Sequence, residues 1–142
     1  MSDPQAPFQL GRAAQLRAGD DLAIIACGAM VALALRAADS LRQAGIAARV
    51  LNLHTIKPLD RDAILAAAHE TRGIVTAEEH RASGGLGGAV AELLAVERLT
   101  RMRMIAMPDV FASIGPTGAL RAKYGMSAEA IAEACRALLD AK

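Results

Sequence analysis

Leu22 to Ala26 is a continuous apolar stretch, and so, less cleanly, are Ala48 to Leu53 and Gly73 to Ala77; their centres lie about 25 residues apart, the length of one strand, one helix and short loops. Strands that do not alternate apolar with polar residues are buried on both faces. Such burial belongs to a parallel sheet covered by helices on each side. The spacing therefore predicts an α/β fold.

The segments between these runs read as crossover helices. In Met30 to Ala44, apolar residues at 30, 33, 34, 37, 38 and 41 form one stripe, opposite Arg36, Asp39, Ser40 and Gln43, and Gly45 stands where a left-handed cap belongs. Asp60 follows Pro58 and precedes Ala63 to Ala68, an N-cap followed by a second helix. A third helix is expected to begin within Gly87 to Val90 and to run to about Glu97. Met102 to Met107 alternates partially, as an edge strand does. Ser127 caps a last helix with Ile131, Ala134, Cys135 and Leu138 facing inward. The sheet has at least four strands.

Residues 1–20 lack periodicity and are punctuated by Pro4, Pro7, Gly11 and Gly19, so they read as an arm or linker ahead of a single domain over 21–142, with nothing holding the arm down from within. The chain has 142 residues, enough for one core. Of its apolar side chains 33 are alanine and only Phe8, Phe111 and Tyr124 are aromatic, which suggests close helix packing and removes stacking platforms for nucleic acid or sugar rings. The 16 basic and 15 acidic residues leave a net charge of +1, with no electrostatic footprint for nucleic acid or an anionic membrane. Apolar runs of about five residues fall short of the roughly 20 of a membrane span, and the start MSDPQAP lacks a signal-peptide layout. A cytoplasmic protein is expected. Cys27 and Cys135 form no CxxC pair and read as structural thiols.

Ligands of open α/β sheets collect beyond the carboxyl ends of the strands. Those ends carry Cys27-Gly28, then His54 to Lys57, then Glu78-Glu79-His80, followed by Ser83 to Gly88. The glycine loop sits where a helix start favours an anion, and a small anionic regulator at Gly84 to Gly88 is one reading of it. The dinucleotide fingerprint fails, however, because GxGxxG counted from Gly85 ends on Val90, and no Gly-Lys-Ser/Thr is present. Cys27, His54 and Glu79 could form a nucleophile, base and orienter at one edge, but no strand-elbow signature supports this. Glu78, Glu79, His80 and His54 make a poor metal set, since adjacent residues rarely converge on one ion.

His54-Thr-Ile-Lys57-Pro-Leu-Asp60, then Val75-Thr-Ala-Glu-Glu-His80, then Gly84-Gly-Leu-Gly-Gly-Ala-Val-Ala-Glu92 resemble, in order and spacing, the C-terminal domain of transketolase. Met107 to Phe111, Lys123 to Met126 and the lead-in Phe8 to Ala13 are similar to the same family. The Thr-Ile-Lys-Pro-Leu-Asp segment favours transketolase over deoxyxylulose-phosphate synthase and the beta subunits of 2-oxoacid dehydrogenases.

The resemblance implies a three-layer α/β/α sandwich with a mostly parallel sheet of about five strands, one of them antiparallel. It also implies part of an enzyme. Transketolases transfer a two-carbon ketol unit between sugar phosphates, holding thiamine diphosphate and Mg2+ in two preceding domains. Their Gly-Asp-Gly metal motif is missing, for Gly19-Asp20-Asp21 does not reproduce it. Ile114-Gly115-Pro116-Thr117 replaces a more polar turn of the family, so no phosphate-facing role is carried over to it. The expectation is a support domain with no catalytic, cofactor-binding or metal residues of its own. Its partners would be the N-terminal and pyrimidine-binding domains, in a homodimeric assembly. The candidate contact or regulatory residues are His54, Lys57, Glu79, His80, Gly84, Gly85 and Gly87.

Overall fold

The computed structural model describes residues 8–141; the signal-peptide reading of MSDPQAP and the punctuation by Pro4 and Pro7 lie outside them. The described chain runs β1 (Ala14–Arg17), β2 (Leu22–Ala26), α1 (Met30–Gln43), β3 (Ala48–Asn52), α2 (Arg61–Glu70), β4 (Ile74–Arg81), α3 (Leu86–Glu97), β5 (Met102–Met107), α4 (Thr117–Lys123) and α5 (Ala128–Asp140). One five-stranded sheet has the order β1-β3-β2-β4-β5, parallel except for β1. The expected sandwich is present.

Each face of the sheet carries its own core. One joins Ile24, Val50 and Val75 to Met30, Leu41, Ile131 and Cys135 beneath α1 and α5. The other joins Ile25, Leu51 and Ile74 to Ile64, Leu86, Val90 and Leu94 beneath α2 and α3. Every residue of β2 is buried, as a central parallel strand requires. The predicted face of α1 is the buried one, and Gly45 takes the left-handed conformation (φ +78°) just past its end. The Ser127 and Asp60 side chains cap α5 and α2, accepting the Ala130 and Ala63 amides. Ala134 is only partly buried, at the margin of the first core.

Three expectations are corrected, and one helix is added. Within the segment read as an arm, Ala14–Arg17 pairs antiparallel with β3, so the end of that segment is held from within the domain. Its half-buried, half-exposed alternation is that of an edge strand too short to register against the surrounding glycines. Strand β4 does not end at Ala77 but continues to Arg81, so Glu78 lies within the strand with its side chain buried. Helix α3 starts at Leu86, ahead of the expected Gly87 to Val90. Helix α4 has no counterpart in the sequence reading, because it buries no residue and shows no apolar stripe.

Candidate functional site

Parallel strands bring the carboxyl ends of β2, β3, β4 and β5 to one edge, with the order reversing at β2. The segment before β1 joins that edge, because Ala14 pairs with Asn52 at the end of β3. There Ala13 donates its amide to Asp60 Oδ2 at 2.7 Å, and Arg12 reaches Asp60 and Asp62 at 3.4 and 3.1 Å. The Phe8 ring lies 4.5 Å from that of His54, whose Nδ1 is 2.9 Å from Thr55 Oγ1. His54 is half-buried, and Lys57 and His80 are exposed.

The centre of the edge is organised by Glu78, only 1 % exposed. Leu86 donates its amide to Glu78 Oε2 and Gly87 to Oε1, both at 2.7 Å. The carboxylate thus takes two of the amides that a helix start leaves without intrahelical partners, at the positive end of the helix dipole. This explains the glycines. A Cβ on Gly85 would lie 2.1 Å from Glu78 Oε2, and one on Gly87 would lie 2.9 Å from Met104 Sδ and 3.0 Å from Thr76 Oγ1. The anion at this helix start is the chain's own.

Glu79 turns the other way. Arg121 of α4 donates from Nε to Glu79 Oε1 at 2.7 Å, and its Nη2 forms an ion pair with the same oxygen at 2.6 Å, fixing α4 to the end of β4. Arg81 pairs with Asp109, and Ser113 is bound by Lys123 Nζ at 2.6 Å and by the Tyr124 hydroxyl. The excursion from Pro108 to Lys123 is therefore tethered by polar contacts while Phe111 and Ile114 stand fully exposed.

The residues singled out from sequence share this edge but form no catalytic set. Glu79 is committed to Arg121, and among the described residues no hydrogen bond joins Cys27 to His54. Burial, aided by Glu78 and Glu79, pushes the Cys27 thiol above its ordinary pKa, the opposite of what a nucleophile needs. Among the described residues no three His, Cys, Asp or Glu side chains converge as metal ligands. With its helix start filled and Gly85 closed to added bulk, the edge does not fit a diphosphate and its metal. Sequence reasoning missed Glu78 as organiser, since the partners it holds are backbone amides with no signature of their own.

A mostly parallel sheet with a separate core beneath helices on each face defines an α/β domain of the three-layer class. The chain belongs to the transketolase C-terminal domain family, whose model matches residues 11–131. It is 43% identical over 135 residues to the 6-deoxy-6-sulfo-D-fructose transketolase subunit SqwH of Clostridium sp. (strain MSTE9), covering 95% of this chain and 42% of that protein. It is 48% identical to 1-deoxy-D-xylulose-5-phosphate synthase 1 of Geobacter sulfurreducens, covering 94% and 21%. A solved structure titled as a split gene transketolase, inactive beta4 tetramer, superposes with a TM-score of 0.92 at 41% identity, covering 96% of this chain and 45% of that one. The chain thus spans between about a fifth and two-fifths of these curated relatives.

Proposed function

We propose that this chain serves as the C-terminal domain, or part of a split subunit, of a cytoplasmic thiamine-diphosphate-dependent transketolase that moves a two-carbon ketol unit between sugar phosphates. It supports the assembly, while cofactor, Mg2+ and substrate are held by N-terminal and pyrimidine-binding domains in cis or on another subunit. The full assembly is a homodimer.

The observation that carries this reading is the Glu78 carboxylate on the Leu86 and Gly87 amides, which uses up at the carboxyl edge the donors a diphosphate would need. The same geometry disfavours an anionic regulator at Gly84 to Gly88. What the edge offers instead is protein-contact chemistry: exposed Lys57 and His80, the His54–Phe8 stack, and the Glu79–Arg121 pair.

Titration calorimetry of the isolated chain with thiamine diphosphate and Mg2+ should give no heat of binding; micromolar affinity would overturn the reading. Charge reversal at Lys57 and Glu79 in the assembled enzyme should weaken assembly, and unchanged assembly would remove this edge as the docking surface.

A further inference from the structure

Thr76 on β4 and Met104 on β5 are partners in the parallel register, so their side chains leave the same face of the sheet from neighbouring strands about 5 Å apart. The Met104 sulfur and the Thr76 hydroxyl oxygen lie 2.9 and 3.0 Å from the point that a Cβ on Gly87 would occupy. Both atoms therefore border the space left free by the glycine at the start of α3.

Each of them is unusual for its place. Thr76 is only 1% exposed, and its hydroxyl oxygen has no hydrogen-bond partner among the described residues. A buried donor without an acceptor is destabilising, and a thioether sulfur is too weak an acceptor to answer it. Among the described residues Met104 is the only exposed methionine, at 36%, whereas Met30 and Met126 are buried and Met102 and Met107 half-buried. Exposure makes Met104 the methionine that an oxidant in solvent meets first.

We propose that Met104 is a site of reversible oxidation, whose sulfoxide oxygen accepts a hydrogen bond from the Thr76 hydroxyl. A lone pair of Met104 Sδ attacks one oxygen of hydrogen peroxide and the O–O bond breaks. The sulfur gains that oxygen and is oxidised by two electrons, while the other peroxide oxygen leaves as water with both protons. A methionine sulfoxide normally disrupts its surroundings by turning an apolar side chain polar. Here the new oxygen meets a donor that the reduced protein leaves unanswered. Oxidation also makes the sulfur chiral, and only one of its two lone pairs faces Thr76, so one epimer is favoured. Methionine sulfoxide reductases, one for each epimer, return the thioether. The proposal is independent of how the chain serves a thiamine-dependent assembly.

The test treats the 142-residue chain with hydrogen peroxide and follows each methionine by peptide mass spectrometry. Met104 should take up oxygen several-fold faster than Met30, Met102, Met107 and Met126. After digestion, one epimer-specific reductase should restore most of the Met104 peptide and the other little of it. Thr76→Val keeps the shape of the side chain and removes the hydroxyl. At the stage where Met104 alone is oxidised, the thermal transition of the parent should stay within about 2 °C of its reduced form, and that of the variant should fall by several degrees. Oxidation of Met104 no faster than that of Met102 and Met107 overturns the proposal. Equal amounts of the two epimers, or equal thermal shifts in parent and variant, overturn it as well. The epimer ratio is read on the parent chain and decides the matter if the valine variant misfolds.

Discussion

Asp60 Oδ2 accepts the Ala13 amide at 2.7 Å, while Oδ1 of the same carboxylate accepts the Ala63 amide at 3.2 Å. One buried side chain thereby caps α2 and fastens the segment that leads into β1. Asp60→Ala removes the cap and leaves the partly buried Ala13 amide without its acceptor, so chemical denaturation should show a loss of about 1–2 kcal/mol. Asp60→Asn keeps one acceptor oxygen and should lose less. Equal losses for the two variants would mean that the carboxylate does not join the elements as described.

Glu78→Ala should cost more stability than truncation of any surface carboxylate. It leaves the Leu86 and Gly87 amides buried without acceptors, at about 1–3 kcal/mol for each group. Amide hydrogen exchange checks the mechanism: protection should fall first at Leu86 and Gly87, with β2 still protected. Uniform loss across the domain would assign Glu78 to general packing instead.

Two glycine substitutions should act in opposite directions. Gly85→Ala drives a Cβ to 2.1 Å from Glu78 Oε2, so the thermal transition should fall by several degrees. Gly118→Ala lies in α4 with nothing within 4 Å of the added carbon, and helix propensity favours it by about 1 kcal/mol. Because α4 buries nothing, that gain should appear in local exchange protection at 117–123 more than in the global transition.

Burial pushes the Cys135 thiol up from 9.0 to about 12. Between those values the unfolded chain has lost a proton that the folded chain still holds, so stability falls as pH rises, by about 1.4 kcal/mol per unit from this group. Below the unfolded pKa the contribution is intact. Cys135→Ala should flatten the stability profile between pH 9 and about 12 relative to the parent, and an identical alkaline slope in both proteins would remove Cys135 as its source.

The parts of the fold legible in the sequence were those governed by period. Leu22 to Ala26 is buried on both faces and could only be a central strand, and the stripe of α1 repeats over four turns. What escaped had no period to show. Strand β1 is four residues between glycines, and α4 is a helix without a buried face, held by Arg121 on Glu79. The candidate site was legible as a place, because strand direction sends Glu79, His80 and the glycine loop to one edge. Its organising bond was not, because a carboxylate bound to backbone amides looks, in sequence, like any acidic residue at a strand end.

A helix start open to solvent samples whatever phosphates and carboxylates surround it, and its geometry drifts with their concentration. Helix α3 is exempt, because Glu78 occupies its first amides at an effective concentration no metabolite can match. The start of α3 therefore keeps its shape whatever anions surround it, because its first free amides are already answered from within the chain.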